Sequence, residues 1–280
     1  MEAPTAERAV GSPVIETTVT YLAPMAERPR YYFTAPPAGA SWRNTRGDRH
    51  RMTVRSARTL APPPTLDVEG FALAHLETTV ADLFDADAVR AVYYREVEDL
   101  VRTETGATRV VAFDHNVRSA PRAERGERTV QRPIRYAHND YTERSGPQRV
   151  RDLLGAETDG LLRGRVAVIN VWKPIGRPVE EAPLAVCEAR SIRSEDFVPT
   201  DLEYGTRRGE VYSLAFHPDH RWFYWPRMAA DEAILLKCYD SAAGVARFTA
   251  HTAIDDPMSP PDPAPRESIE VRTLVFWPSR

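Results

Sequence analysis

Arg165-Val166-Ala167-Val168-Ile169-Asn170-Val171-Trp172 is the stretch on which the fold turns. It alternates and is rich in β-branched residues, which marks a strand. Downstream the same kind of segment recurs at Leu184–Ile192, Glu210–Phe216, Arg221–Trp225, Ala233–Tyr239, Ala246–Thr249 and Ser268–Trp277, with Gly, Pro or Asp breaks between. Short strands with turn signals at this spacing predict a sandwich or barrel. A stiff loop, Met258–Pro265 with Pro260, Pro261, Pro263 and Pro265, joins the last two strands.

Upstream, Pro13–Leu22, Arg51–Ser56 and Gly70–Thr79 read as extended, and Thr108–Phe113 as a buried strand. One clear helix runs from Ala86 to Thr103. Asp85 suits its N-cap, and Val89, Tyr93, Val97, Leu100 and Val101 share one face, which should pack outside a sheet. A second, shorter helix is expected at Pro147–Leu154. The fold class is therefore mainly β with flanking helices. Residues 1–12 are small and polar and are expected to fray. Residues 13–280 are expected to form one domain, since all-β folds of ~250 residues are common as single units.

Composition excludes several classes. The net charge of the 280 residues is -3, which argues against a dedicated nucleic-acid binder. The basic residues are almost all arginine, Lys173 and Lys237 being the two lysines, a skew that a GC-rich genome explains. No apolar run reaches the ~20 residues of a membrane span, and Met1-Glu2-Ala3-Pro4 does not open a secretory signal. Two cysteines, Cys187 and Cys238, rule out a disulfide scaffold and fit a reducing, cytoplasmic setting. Both lie in strand runs and read as small buried hydrophobes. A homodimer stays open.

The chemistry lies in Tyr136-Ala137-His138-Asn139-Asp140. In an extended segment residues i and i+2 face the same side, so His138 and Asp140 can share a metal. Two imidazoles and one carboxylate on one octahedral face leave three positions open, the arrangement of non-haem Fe(II) oxygenases. The third ligand must come from a distant strand. His251 ends a strand-like run, with His217 and His220 as alternatives. Fifteen residues past His251, Arg266-Glu267-Ser268 opens the last strand. A guanidinium grips a carboxylate with two prongs, and a hydroxyl two residues on adds a bond from the same side. Such a pair would anchor the distal carboxylate of a dicarboxylate cosubstrate. Any one of these elements alone is weak; their order along the chain is what carries weight.

With these residues in place, the chain resembles the 2-oxoglutarate/Fe(II) oxygenases with a double-stranded β-helix, cupin-like jelly-roll core. More closely, it is similar to the bacterial and fungal hydroxylase/desaturase family of secondary metabolism. The segments that carry the likeness are Asp114-His115-Asn116-Val117-Arg118, Ala137-His138-Asn139-Asp140-Tyr141 and Ile169-Asn170-Val171-Trp172-Lys173-Pro174. They continue through 219–228, 237–241, 246–253 and 266–272, so the likeness runs from about residue 50 to the end. The resemblance implies Fe(II) at His138, Asp140 and His251, 2-oxoglutarate held by Arg266 and Ser268, and O2 as cosubstrate. The gap from His251 to Arg266 is longer than the family's usual spacing, which brings Arg272 into play as the alternative anchor. His115 and Arg118 either face the substrate or form a salt-bridged loop. Trp172 is expected as a pocket wall.

The implied activity is C–H oxidation of a small secondary metabolite: hydroxylation, desaturation or oxidative rearrangement. The alternative is an Fe(II) jelly-roll dioxygenase or isomerase that does not use 2-oxoglutarate. A methyltransferase is disfavoured because no Gly-x-Gly-x-x-Gly occurs and alternating β/α units are missing, and a serine hydrolase because no Gly-x-Ser-x-Gly occurs. A metal-free jelly-roll binding module is the remaining alternative.

Overall fold

The computed structural model describes residues 14–278. The expected frayed segment 1–12 lies outside the described residues. Two sheets dominate. The larger has nine strands in the order β1 (Val14–Leu22), β3 (Gly47–Ser56), β12 (Trp222–Tyr224), β9 (Leu184–Cys187), β14 (His251–Ala253), β7 (His138–Asn139), β11 (Arg208–Leu214), β10 (Phe197–Glu203) and β2 (Arg30–Tyr32). The smaller has six: β4 (Phe71–His75), β13 (Glu232–Asp240), β8 (Val166–Pro174), β15 (Glu267–Phe276), β5 (Arg109–Ser119) and β6 (Val130–Gln131). Strands far apart in sequence lie side by side in both sheets, as in a jelly roll.

The segment that opened the reading is β8, at the centre of the smaller sheet and buried throughout. Its alternation sends Val168 and Trp172 into the apolar core that also takes Val186, Phe223, Leu236 and Leu274. Ile169 and Val171 point the other way, under the helix. That helix forms as expected. The side chain of Asp85 accepts from the amides of Asp87 and Ala88, capping α1 (Ala86–Ala88). A π turn at Val89–Tyr93 leads into α2 (Tyr94–Thr105), which ends on Gly106 at φ 64°. Val89, Tyr93, Val97 and Val101 are fully buried, each worth roughly 1.5–3 kcal/mol by transfer.

Several boundaries moved. The expected strand at Ala246–Thr249 is irregular, and pairing begins at His251 instead. The reason is local: the Thr249 hydroxyl donates to the carbonyl of Gly70 at 2.7 Å, and Ala246 N donates to Asp67 O at 2.8 Å, so no ladder forms. The strand at Leu184 stops at Cys187 and turns through a 3-10 segment at Ala189–Ser191. β5 runs on to Ser119, past the expected end at Phe113. The short helix starts at Ser145 rather than Pro147, as α4 (Ser145–Leu154), after α3 (Ala120–Glu124) and before α5 (Thr158–Leu161). Strands β2, β6 and β10 have no counterpart in the sequence reading.

Candidate metal centre

β7 and β14 are neighbours, and their register puts His251 directly opposite His138. Ligand atoms of His138, Asp140 and His251 all lie within 4.8 Å of one another. The two imidazole centroids are 4.5 Å apart, and Nε2 of His138 is 3.4 Å from Oδ1 of Asp140. Each histidine presents Nδ1 to the carbonyl two residues earlier: His138 to Tyr136 at 2.7 Å, His251 to Thr249 at 3.4 Å. An Nδ1–H donated there leaves the Nε2 lone pair free, the tautomer a metal ligand needs. His251 is buried, and burial with the adjacent His138 pulls its pKa down to about 3, so it stays neutral.

Asp140 is fixed from the opposite sheet. Asn170 on β8 donates Nδ2 to Oδ2 at 2.9 Å, and Arg272 on β15 donates Nε to the same oxygen at 3.0 Å. Oδ1 is thereby left as the free ligand atom. Burial opposes the charge of this carboxylate, but Arg272 and the imidazoles win, and its pKa lies well below the usual carboxylate range. Arg272 is saturated: it also bonds Asp114 at 3.0 Å and Glu270 at 3.2 Å.

Arg266 and Ser268 differ from Arg272 in being short of partners. Both are buried, and Arg266 Nε and Ser268 Oγ have none. One terminal nitrogen of Arg266 donates to the carbonyl of Ala182, and the guanidinium lies 5.5 Å from the centroid of the Trp172 ring. Burial, then the nearby Arg118, pulls its pKa to about 9: a cation without its counter-ion. Arg266 and Trp172 line a narrow cavity with His138, His251, Arg118 and Glu270. A second cavity, of about 750 Å³, opens on the other side of His138 and Asp140. That size suits a drug-sized molecule.

The family model described as the oxidoreductase/YMDC permease-like domain matches residues 19–276. The Fe(II)/2-oxoglutarate-dependent dioxygenase nvfI of Aspergillus novofumigatus is 32% identical over 256 residues, covering 88% of this chain and 90% of that one. The hydroxylase/desaturase efuI of Hormonema carpetanum is 30% identical over 292 residues, covering 96% and 97%. A solved structure of the iron and alpha-ketoglutarate-dependent endoperoxidase NvfI superposes with a TM-score of 0.85 at 29% identity, over 95% of this chain and 98% of that chain. The chain belongs to the Fe(II)/2-oxoglutarate-dependent oxygenase family. Fe(II), 2-oxoglutarate and O2 are accordingly its cofactor and cosubstrates. Despite the word permease in the domain description, no helix among the described residues is long and apolar enough to cross a membrane.

The residues of this oxygenase fit those groups. Two neutral imidazoles and one carboxylate, without thiolate, suit Fe(II). The orphaned guanidinium nitrogen and hydroxyl of Arg266 and Ser268 suit a carboxylate. Elsewhere the structure redistributes the sequence-derived candidates. His217 and His220 are outside the triad: His220 bonds Asp196 at 3.2 Å and stacks on Tyr21, and His217 pairs with Asp219. His115 faces away from the cavities and contacts the Tyr94 hydroxyl at 2.8 Å. Arg118 does line both cavities. Asn116, which lines the large cavity, and Asn170 and Glu270, which bond Asp140 and Arg272, were not singled out. Asn170 stood in the quoted strand with the alternation that aims it inward beside Trp172; an amide in an apolar strand was the available signal.

Proposed function

We propose that His138, Asp140 and His251 hold the Fe(II) of a C–H-oxidising enzyme, that Arg266 and Ser268 receive the distal carboxylate of 2-oxoglutarate, and that the large cavity receives a small secondary metabolite. The observation that carries this is the unpaired buried Nε of Arg266, on a narrow cavity that His138 and His251 also line, with the equally unpaired Oγ of Ser268 two residues further along the chain.

Bound there, Fe(II) with 2-oxoglutarate and O2 supplies an oxidant strong enough to take hydrogen from an unactivated carbon, with succinate and CO2 as co-products. The protein's own work is to hold and shield. Asn170 and Arg272 pin Oδ2 of Asp140 so that Oδ1 faces the two Nε2 atoms. Arg272 balances the carboxylate's charge from the outer side. Trp172 walls the narrow cavity and keeps water from the guanidinium behind it. The narrow cavity has room of about 20 Å³, so cosubstrate entry requires Arg118 or Ile134, which line both cavities, to give way. A cytoplasmic location belongs to the same proposal and follows from the two free thiols.

The test is an anaerobic titration of Fe(II) and then 2-oxoglutarate, followed by the weak visible charge-transfer band of the chelate, with succinate release in air as the second readout. His138→Ala and Asp140→Ala are expected to lose bound iron and succinate formation together. Full turnover by either variant removes the assignment.

A further inference from the structure

Arg118 is buried and lines both cavities, and the acids near it, Glu270 and Asp140, are bonded to Arg272 rather than to it. One terminal nitrogen donates to Gln131 Oε1 at 3.0 Å and to the carbonyl of Arg132 at 2.9 Å, both neutral acceptors. It makes no ion pair among the described residues. Glu270, the acid on the neighbouring strand face, is taken by Arg272 at 3.2 Å. A buried guanidinium without a counter-charge is costly to keep. Burial already works against its charge and lowers its pKa.

The large cavity has the same sign. Among the described residues eight arginines and four carboxylates line it, and Arg43, Arg118 and Arg207 make no ion pair, whereas Arg135 pairs with Asp255 and Arg208 with Glu203. The carboxylates are engaged: Asp114 and Asp140 by Arg272, Glu210 by Arg28 and Asp152 by Gln148. Field lines of one sign focus in such a cleft and draw in the opposite charge. Tyr31, Phe33, Tyr136, Tyr141 and Tyr204 also line it. Arg43 lies over Tyr136 and Arg207 over Tyr204, at 5.2 and 4.5 Å, and Phe33 stacks on Tyr204 at 4.8 Å.

We infer that the substrate is a monocarboxylate on an apolar, ring-bearing body, its carboxylate received by Arg118 and its body laid along the tyrosine wall. This rests on the oxygenase reading and names the substrate class of that site. Because Arg118 and His138 line the same two cavities, the carbon that is oxidised lies near the substrate's own carboxylate.

The experiment uses the anaerobic Fe(II)/2-oxoglutarate enzyme and matched pairs: 3-phenylpropionate, 2-naphthylacetate and abietate, each against its methyl ester. Binding is read as a shift of the visible band. Acids are expected to act at roughly tenfold or more lower concentration than their esters, the effect of one charge-assisted bond of about 1.5–3 kcal/mol. In Arg118→Gln the preference is expected to vanish, with acid and ester binding equally. Arg118→Lys keeps the charge but not the fork and retains a weaker preference; it carries the test if the glutamine variant does not fold, and equal binding of acid and ester by it counts against the inference. A panel in which no acid outbinds its ester, including one in which nothing binds, overturns it. So does an Arg118→Gln enzyme whose one change is a higher 2-oxoglutarate requirement, which would assign Arg118 to the cosubstrate. The band before any acid is added reports the cofactor reading alone, so the two failures are distinguishable.

Discussion

At the scale of single residues, protonation and pairing set what each group can do. A histidine in an unfolded chain titrates near ~6.5, whereas burial and the neighbouring His138 hold His251 to about 3. Between those values the unfolded chain takes up a proton that the folded chain refuses. Stability contributed here is therefore intact above ~6.5 and declines as pH falls through the window. The metal-free enzyme is expected to melt at progressively lower temperature from roughly pH 7 to roughly pH 5, and His251→Gln to melt with a shallower slope. Parallel slopes would mean that other groups govern the acid side. The two arginines of β15 separate in the same spirit. Arg266→Gln is expected to raise the KM for 2-oxoglutarate about tenfold to a hundredfold, the loss of one charge-assisted pair, with iron affinity unchanged. Arg272→Gln is expected to weaken iron binding first, since it releases Oδ2 of Asp140. The reverse pattern would make Arg272 the anchor.

At the scale of elements, the loop before β4 and the segment before β14 are locked together. Gly70 sits at φ +87°, and a Cβ there would meet Thr249 Oγ1 at 2.1 Å. Its carbonyl also accepts from the Thr249 hydroxyl. The Thr249 carbonyl in turn faces Nδ1 of His251. Gly70→Ala is thus expected to cost about 1–3 kcal/mol in backbone strain and to weaken iron binding by turning His251. Gly106, at φ +64° with open space around its Cβ position, is the control. Gly106→Ala should lower the melting temperature and leave iron affinity alone. Equal iron affinity in both variants would break the proposed link from Gly70 to the ligand.

At the scale of the whole molecule, the site is a seam between sheets. The nine-stranded sheet supplies His138 and His251, and the six-stranded sheet supplies Asn170, Arg272, Ser268 and Trp172. Iron and cosubstrate held there as proposed would tie the layers together. Each ligand at about a hundred times its Kd adds roughly 2.7 kcal/mol, and at about 2–4 °C per kcal/mol for a chain of this size the melting temperature should rise by roughly 5–10 °C per ligand. Calorimetry with Fe(II) alone, then with 2-oxoglutarate, checks this. A cosubstrate that binds but adds no thermal shift would place it outside the seam.

Much of this was legible in the chain itself. Strand alternation, the helix with its Asp85 cap and the pairing of His138 with Asp140 depend on neighbours a few residues apart, and such periodicities are written directly in the sequence. β5 shows where legibility ends. Val111 and Phe113 face the core between the sheets, and simple alternation would turn His115 inward after them. A bulge opposite Arg272 and Thr273 skips Phe113 and shifts the register by one, so Asp114 rather than Phe113 pairs with Arg272. One extra residue in a strand exchanges its two faces, and that exchange sends His115 to Tyr94 and Arg118 to the cavities. The meeting of His251 with His138, and the pairing of Arg272 but not Arg266 with Asp140, likewise depend on which strands lie side by side. That was decided by packing across the two sheets, through contacts between residues more than a hundred positions apart, which no local pattern encodes.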